Sequence, residues 1–400
     1  MKTDILIIGA GFAGVWSALS AARLLDQAQR GELSISVLAP QPQMRIRPRL
    51  YEAQAHTLQA PLTALFDAVG VKFIEGHARE IDPDGRQVSY EDGAGNNQRI
   101  SYRRLILAAG SQVARPNIAG LAEHTFDVDQ LESAVRLEQH LHALAALPGS
   151  PARNTVVVCG GGFTGIETAT EMPERLRAML GADTRLRVVV VDRGAQIGAA
   201  LGAGITPSIV AACKQAGVEW LPGTSVVAVD SGGVTLDNGD YIASKTVIWT
   251  VGVQASPLTA QIPGERDGQG RLRVDEHLKV KGQEHIYATG DVAWAAVDDL
   301  GNHALMTCQH AIPMGRHAGN NAAADLLALT PVVYRQPKYV TCLDLGAWGA
   351  TFSEGWEREL KLQGEEGKAV KRQINTQWIY PPAADRATAL AAADPAIAIV

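Results

Sequence analysis

Two glycine-rich hexapeptides constrain the fold of this chain more than any other feature of its sequence. They read Gly9-Ala10-Gly11-Phe12-Ala13-Gly14 and Gly160-Gly161-Gly162-Phe163-Thr164-Gly165, and they lie about 150 residues apart. Each follows a short apolar run, at residues 5–8 and 155–159, and precedes a helical stretch rich in small residues, at 15–25 and 166–180. The sequence therefore predicts the same strand-turn-helix unit twice.

The spacing of the glycines indicates what the two turns bind. In this pattern the first glycine allows a tight turn, the second lets backbone amides approach a pyrophosphate, and the third lets helix and strand pack closely. The helix N-terminus then faces the negative charge. A single copy is often an ordinary turn, whereas two copies in matching contexts favour two dinucleotide sites. The predicted binding residues are Gly9, Gly11, Phe12, Ala13 and Gly14 in the first site, and Gly160, Gly162, Thr164 and Gly165 in the second.

The composition is typical of a globular chain with more than one domain. The 400 residues exceed one ordinary core, and 46% hydrophobic residues with 40 glycines fit two or three α/β domains. The formal net charge is −6, and the basic clusters at residues 45–49 and 368–372 are short. No nucleic-acid partner is therefore expected.

The cysteines and apolar segments bear on location and redox chemistry. Four cysteines are scattered without close pairs, which is typical of a reducing compartment and argues against a thiol relay. No apolar stretch approaches the roughly 20 residues of a membrane span, and a strand begins almost at the N-terminus. A cytoplasmic protein is expected. The ten histidines show no metal-ligand spacing, so no metal site is predicted.

The residues after the second strand of each unit distinguish the two sites. A carboxylate usually binds the ribose there, but the first unit has Ala39-Pro40. The second unit has Asp192, which would bind a ribose 2′-hydroxyl and repel a 2′-phosphate. The second site is therefore predicted to take NAD(H), while the neighbouring Arg193 leaves NADP(H) open.

Other segments indicate how the units are connected. Residues 102–116 contain a buried strand ending in Ala109-Gly110, which is expected to be a hinge between the domains, and residues 247–253 are a second crossover strand. Between them, residues 121–147 carry leucines at helical spacing. Near residue 290, a strand delivers Gly290-Asp291 through a turn. The remainder, from about residue 332, has a mixed pattern and is predicted to be a third domain.

Four segments together resemble one group of flavoproteins. They are Arg47-Pro48-Arg49-Leu50-Tyr51-Glu52, Gly162-Phe163-Thr164-Gly165-Ile166-Glu167, Trp249-Thr250-Val251-Gly252-Val253-Gln254-Ala255-Ser256-Pro257-Leu258 and the pair Gly290-Asp291. In this order they are similar to the two-dinucleotide-binding flavoproteins, most of all the type II NADH:quinone oxidoreductases and their relatives, which include apoptosis-inducing factor. The resemblance covers roughly residues 1–325.

The resemblance implies an α/β fold with two Rossmann-like domains, the second inserted in the first, plus a C-terminal α+β domain. Residues 1–112 and 277–330 would bind FAD, residues 113–276 would bind NAD(H), and residues 331–400 would form an interface or acceptor region. The implied cofactor contacts are Arg45, Ala109, Gly110, Gly290 and Asp291 for FAD, and Asp192 and Gly252 for NAD(H). Because Ala39 replaces the usual carboxylate, the FAD adenosine would be held by backbone groups or by Gln41, Gln43 or Arg45.

The resemblance also implies three catalytic residues. The family's glutamate near the flavin and nicotinamide matches Glu167, whose alternative role is to complement its helix dipole. The family's Ala-Gln-x-Ala-x-Gln segment beside the quinone matches residues 308–313, so Gln309 and His310 are candidates to serve the acceptor. His310 is alternatively a helix-start histidine. Cys308 and Pro313 depart from the family's pattern, which puts quinone as the acceptor in doubt.

Three functions fit these observations. The first is an FAD-dependent NADH dehydrogenase that reduces a quinone or similar small acceptor. The second is a reductase of a redox protein, steered by a basic patch of Arg45, Arg47 and Arg49. The third is a slow NADH-responsive redox sensor that changes its oligomeric state. A homodimer and peripheral contact with the inner membrane face are left open, although the Ala-rich tail at 387–400 offers little apolar area and no cationic face.

Overall fold

The computed structural model describes residues 1–398, which form two parallel-sheet units and an antiparallel C-terminal part. The strands in chain order are β1 (Lys2–Ile8), β2 (Ile35–Ala39), β3 (Gln43–Arg45), β4 (Gln59–Pro61), β5 (Lys72–Asp82), β6 (Gln87–Asp92), β7 (Asn97–Leu107), β8 (Ser111–Val113), β9 (Thr155–Cys159), β10 (Arg187–Val191), β11 (Val218–Leu221), β12 (Val226–Asp230), β13 (Gly233–Leu236), β14 (Tyr241–Ala243), β15 (Thr246–Trp249), β16 (Val253–Ala255), β17 (Leu272–Arg273), β18 (Ile286–Ala288), β19 (Ala293–Trp294), β20 (Val340–Asp344), β21 (Ala350–Glu354) and β22 (Glu359–Gln363).

The α-helices connect and cover these strands. In chain order they are α1 (Phe12–Gln27), α2 (Thr63–Val69), α3 (Leu121–His124), α4 (Leu131–Ala143), α5 (Phe163–Leu180), α6 (Thr206–Ala216), α7 (Cys308–Leu327), α8 (Gly364–Gln373) and α9 (Arg386–Ala392). A π-helical turn, Ile374–Trp378, follows α8 directly.

The first unit is a parallel sheet in the order β5-β2-β1-β7-β18, with β6 pairing antiparallel to β5 and β7. Ile5 of β1 pairs with Ile35 of β2 and Ile8 with Leu38, and all four are buried, as the apolar run in the sequence predicts. Strand β1 lies inside the sheet, with β2 on one side and β7 on the other, so the strand order changes direction at β1. The carboxyl end of β1 is therefore a topological switch point, where open α/β sheets bind ligands.

The second unit repeats this arrangement with a parallel sheet in the order β11-β10-β9-β15. Strand β9 occupies the central position that β1 has in the first unit. The chain enters this unit through β8 and leaves it through β16, and these two strands pair antiparallel with Gln112 opposite Gln254. The second unit is thus inserted in the first through two adjacent crossings. The predicted fold class is confirmed.

The leucine-rich stretch at 121–147 is not one helix. It is divided into α3 and α4 by an extended segment around Phe126, whose backbone exchanges hydrogen bonds with Val247 and Trp249 at the edge of β15. Pairing with the sheet therefore prevails over helical spacing here. As a result the loop before α4, including Asp129, faces the interior of the molecule.

The helices α1 and α7 approach each other closely because two glycines of α7 lack side chains. A Cβ on Gly315 would collide with the carbonyl oxygen of Ala13, and one on Gly319 with that of Ser17. The N-terminal halves of both helices are thereby fixed beside each other. This contact positions the start of α7 next to the first glycine turn.

The C-terminal part consists of the antiparallel sheet β20-β21-β22, α8, the π-helical turn and α9. The Ala-rich tail docks on this same chain: Ala389 and Ala393 are buried, and ion pairs join Arg23 to Asp394 and Arg386 to Asp26. Judged by length and hydropathy, none of the helices that residues 1–398 form could cross a lipid bilayer.

Two glycine cradles and a central cavity

Each glycine-rich hexapeptide, at residues 9–14 and 160–165, forms a turn that we call a glycine cradle. The backbone conformation and packing of the protein require the first and third glycines of each cradle. Gly9 and Gly160 have φ angles of 110° and 103°, in the region that favours glycine. A Cβ on Gly14 would collide with the carbonyl oxygen of Gly9, and one on Gly165 with that of Gly160. These four glycines therefore close each strand-to-helix turn tightly.

The middle glycines, Gly11 and Gly162, are not required in this way. Their φ angles are −80° and −75°, and a Cβ built on either would meet no protein atom within 4 Å. Each is the N-cap of its helix, and no side-chain hydrogen bond caps the N-terminus of either helix. Free N–H groups and open space at a helix N-terminus fit a pyrophosphate, which a side chain at either position would displace.

A cavity of about 310 Å³ lies at the first turn, which we call the first cavity. Its wall contains most of the residues predicted to hold FAD, namely Gly9, Gly11, Phe12, Ala13, Arg45, Ala109, Gly110, Gly290 and Asp291. Gly14 lies behind this wall as the packing glycine. Ala39 also lines the cavity, beside Gln41 and Gln43.

Two polar atoms at the wall of the first cavity lack a partner. Gln43 Oε1 and Thr289 Oγ1 are buried and make no hydrogen bond to any of residues 1–398. Buried polar atoms are rarely left unpaired, so both fit hydrogen bonds to a polar ligand. Gln43 thus offers an oxygen near the position where the sequence lacks the usual carboxylate. These oxygens, together with the N–H groups at the start of α1, fit the polar groups of a dinucleotide.

The proposed steering patch of three arginines is already neutralised. Arg45 donates to Glu132 with an Nη1–Oε2 distance of 2.8 Å, and Arg49 donates to Glu52 at 2.7 Å. Arg47 is ion-paired with Asp129. Each of the three arginines thus has a carboxylate partner, so they do not form an unpaired basic patch.

Arg47 instead organises the junction between the two units. It donates to the Ser111 hydroxyl at 2.8 Å and to Asp291 at 3.2 Å, and Ser111 donates to Asp291 at 2.6 Å. Burial alone would lower the pKa of Arg47, but the charges of Asp129 and Asp291 raise it. The predicted cofactor residue Asp291 therefore lies beside a cation.

A second cavity of about 680 Å³, which we call the central cavity, adjoins the first. The two cavities share five wall residues: Phe12, Arg47, Ser111, Asp291 and Ala311. The second unit contributes Thr164, Glu167 and Gly252 among others, and the C-terminal part contributes residues between 339 and 398. All three parts of the chain therefore meet around one space.

The remainder of the second cradle lies beyond the central cavity. Gly160, Gly162, Gly165 and Asp192 are not among its wall residues, in contrast to Thr164 and Gly252. The Asp192 carboxylate accepts hydrogen bonds from the backbone N–H groups of Gly161 and Gly194, each at 2.7 Å. Asp192 is half-buried at the glycine turn, whereas Arg193 is exposed.

Glu167 forms a buried ion pair that the sequence did not reveal. Its Oε1 accepts from Lys371 Nζ at 2.8 Å and from the Asp344 backbone N–H at 3.1 Å. Glu167 and Lys371 are only 8% and 7% exposed, and both line the central cavity. Burial raises the pKa of Glu167, and the charge of Lys371 opposes this shift. For Lys371, burial alone would lower the pKa, but the charge of Glu167 raises it. The one available signal was the basic cluster at 368–372.

Asp344 extends this network to the first unit. Its carboxylate accepts from the Tyr51 hydroxyl at 3.1 Å and from Lys368 at 2.6 Å. Burial raises the pKa of Tyr51, and the charges of Glu167 and Asp344 raise it further, so the phenol keeps its proton. The network joins both units and the C-terminal part.

The two remaining catalytic candidates have different surroundings. Gln309 lines the central cavity, and its Oε1 accepts from the Val340 N–H at 3.4 Å. His310 is fully buried, is not part of the cavity wall and stacks on Tyr339 with a centroid distance of 5.7 Å. Burial lowers the pKa of His310 to about 4. These surroundings favour the alternative of a structural histidine in the first turn of α7.

The cysteines are thiols, and two of them line the central cavity. Burial raises the pKa to about 11 for Cys308 and about 12 for Cys342, so neither is a ready nucleophile. Within the described part of the chain, no three His, Cys, Asp or Glu side chains are grouped so that they could hold a metal ion.

Comparisons with known proteins agree with this geometry. The model of the pyridine nucleotide-disulphide oxidoreductase family matches residues 3–315. The chain is 46% identical to a NADH dehydrogenase-like protein of Mycobacterium tuberculosis over 99% of both chains. It is 28% identical to the demethylphylloquinone reductase of Synechocystis, covering 93% of this chain and 91% of that one.

A solved structure has the same fold at low identity. NDH2 from Plasmodium falciparum, in complex with NADH, matches with a TM-score of 0.79 and 13% identity over 98% of this chain and 97% of that one. The residues matched by the family model include both glycine cradles, Glu167 and Asp291. This chain belongs to the pyridine nucleotide-disulphide oxidoreductase family and is an oxidoreductase of its NADH dehydrogenase-like group.

Proposed function

We propose that this protein is an FAD-dependent NADH dehydrogenase that delivers electrons to a quinone or a similar small acceptor. The observation that carries the proposal is the central cavity, whose wall joins the first cavity to Thr164 and Gly252 of the second unit. A flavin held in the first cradle and a nicotinamide held in the second would reach the same space. When bound, FAD would accept the hydride of NADH and pass the electrons to the acceptor.

Each cradle has its own proposed dinucleotide. Residues 1–112 and 277–330 would bind FAD through Gly11, the α1 N-terminus and the unpaired oxygens of Gln43 and Thr289. Residues 113–276 would bind NAD(H) through Gly162 and Asp192. Because Asp192 is a carboxylate at the glycine turn, NADH is favoured over NADPH.

The residues of the cavity wall would orient the reactants and exclude water. Glu167 is anchored by Lys371 and by the Asp344 N–H, so it would present a fixed oxygen beside the nicotinamide. Gln309, at the start of α7, would donate an amide N–H to a carbonyl of the acceptor. His310 has no part in this proposal.

The wall on the acceptor side of the cavity is apolar, which supports an apolar ring compound as the acceptor. The α7 side and the C-terminal part contribute apolar side chains to it, namely Met306, Ile312, Tyr339, Val340, Phe352, Ile374 and Ile379. The relative from Synechocystis is named for reduction of a quinone, which also supports this class. Trp378 and Ile397 line the same cavity and are 47% and 42% exposed, which favours entry of the acceptor from a membrane surface.

The experiment is a stopped-flow measurement on the purified holoenzyme. NADH should bleach the bound flavin faster than NADPH does, and short-chain quinones should then restore the flavin absorbance. A protein that cannot be reconstituted with flavin contradicts the first cradle. Rapid bleaching by NADH with reoxidation by ferredoxin-like proteins but by no quinone contradicts the acceptor class.

A further inference from the structure

Arg316, on the wall of the central cavity, is a buried cation that forms no ion pair with any of residues 1–398. It is only 7% exposed, and its Nε and Nη1 atoms make no hydrogen bond to any of residues 1–398. Burial lowers its pKa to about 10, which shows that its surroundings disfavour the charge. A buried guanidinium with unpaired N–H groups is costly unless a ligand pairs with it.

The other two cations of this wall are satisfied. Arg47 is paired with Asp129 and Asp291, and Lys371 is paired with Glu167. Asp394 is the acidic group whose charge reaches Arg316, but its carboxylate is bound to Arg23. Arg316 therefore differs from Arg47 and Lys371 in lacking a carboxylate partner within residues 1–398.

Stacking on Trp16 does not remove this deficit. The guanidinium carbon of Arg316 lies 4.4 Å from the centre of the Trp16 ring. Such a contact attracts the charge but supplies no lone pair to the guanidinium N–H groups. The contact therefore leaves these donors available to a ligand in the cavity.

The position of Arg316 along α7 separates it from the flavin end of the cavity. Cys308, Ile312 and Arg316 are spaced by four residues and lie on one face of the helix, along the cavity wall. Eight residues of α-helix span about 12 Å. An acceptor that reaches from Gln309 towards Arg316 would therefore be an extended molecule with its polar group distant from the reacting ring.

We propose that Arg316 determines acceptor specificity by binding an anionic oxygen group of the electron acceptor. This inference rests on the proposed function, because it assumes that the acceptor occupies the α7 side of the central cavity. The acceptor class is then an aromatic quinone that carries a carboxylate or another ionised oxygen group. Arginine suits this role because its planar donors match a carboxylate in two parallel hydrogen bonds.

A binding experiment tests Arg316 without any redox step. Holoenzyme is titrated calorimetrically with 2-naphthoate and with the uncharged 2-naphthamide, both redox-inert. The wild type should prefer 2-naphthoate, and Arg316→Met should weaken its binding about 10- to 100-fold while changing 2-naphthamide binding little. Arg316→Lys should retain part of the preference. The control Arg335→Gln, which changes the net charge equally at an exposed arginine, should retain all of it.

Steady-state kinetics then separate this inference from the proposed function. Arg316→Met should raise the KM for 1,4-naphthoquinone-2-carboxylate about 10-fold or more, leave that for menadione within about 2-fold, and leave flavin bleaching by NADH unchanged. Unchanged binding of 2-naphthoate in Arg316→Met overturns the inference. If no quinone is reduced by the wild type, the proposed function fails, whereas the naphthoate result still decides whether Arg316 binds anions.

Discussion

Lys371 Nζ lies 2.8 Å from Glu167 Oε1, so a residue of the C-terminal part completes a site that begins in the second glycine cradle. The two positions are 204 residues apart in the sequence. The C-terminal part is therefore not an appendage of the two dinucleotide units. It supplies the cation that opposes the effect of burial on the pKa of a carboxylate beside the central cavity.

Removing Lys371 should destabilise the protein strongly, because Glu167 would be left as an uncompensated buried charge. For Lys371→Met we expect a loss of about 3–5 kcal/mol in the free energy of unfolding, measured by urea denaturation of the holoenzyme. The double variant Glu167→Gln/Lys371→Met should recover much of this loss. Lys361→Met, at a lysine paired with Glu359 on the surface, should leave stability close to that of the wild type. Equal losses in the single and double variants would contradict the ion pair.

Alanine substitutions at the middle and last glycines of the second cradle should have different effects. Gly162→Ala should fold, with a stability change below about 1 kcal/mol, because its Cβ meets open space and its φ angle is ordinary. It should nevertheless abolish rapid flavin bleaching by NADH, because the methyl group occupies the phosphate position. Gly165→Ala should fail to fold, since its Cβ collides with the Gly160 carbonyl.

Gly31→Ala is the matched control for this pair, as its Cβ also meets open space but lies outside both cradles. It should leave stability and NADH binding close to those of the wild type. Thermal melts and stopped-flow traces of the three variants give the comparison. Normal NADH affinity in Gly162→Ala would show that the pyrophosphate lies elsewhere.

The cradles could be predicted from the sequence because each depends on neighbouring residues. A strand, a glycine turn and a helix follow one another within about 25 residues, and the steric demands on Gly9 and Gly14 are met inside that segment. The position of Asp192 could be predicted in the same way, because it directly follows β10, the strand after β9 in its unit.

The partners of the central cavity could not be predicted in this way. Lys371 and Arg316 reach it because α8 and α7 pack against the two units, which the sequence around either residue does not show. His310 is the converse case, because it follows Gln309 in the segment that resembles the family's acceptor region but is buried outside the wall of the central cavity. On an α-helix, consecutive residues point about 100° apart, and here one faces the cavity while the other faces Tyr339.

The absence of a carboxylate at position 39 should make FAD binding depend on Gln43. Gln43→Leu should weaken FAD affinity about 2- to 10-fold, the effect of one hydrogen bond, in fluorescence titrations of the deflavinated protein. Ala39→Glu should raise FAD occupancy after purification, because it restores a ribose acceptor to the wall of the first cavity. No gain in Ala39→Glu and no loss in Gln43→Leu would remove both residues from the adenosine site.

The preference for NADH over NADPH should depend on Asp192. Asp192→Ala should reduce the ratio of bleaching efficiencies, NADH over NADPH, about 10-fold or more, because the ribose loses its acceptor and a 2′-phosphate loses a repelling charge. Asp230→Ala is a matched control: its carboxylate also accepts from two backbone N–H groups in the second unit, those of Gly232 and Gly233. An unchanged ratio in Asp192→Ala would place the discrimination elsewhere.

Acid should destabilise the protein through His310, whose pKa of about 4 lies below the value of 6.5 for an ordinary histidine. Below pH 6.5 the unfolded chain binds a proton there that the folded chain excludes, so stability falls as the pH falls towards 4. At pH 5 this contributes a loss of about 2 kcal/mol relative to pH 7. His310→Gln should flatten the pH dependence of the free energy of unfolding by that amount, whatever its effect at pH 7. His56→Gln, at an exposed histidine, should keep the slope of the wild type. A slope that is equally steep in His310→Gln would mean that the imidazole is accessible to protons in the folded state, and the case for a catalytic role would reopen.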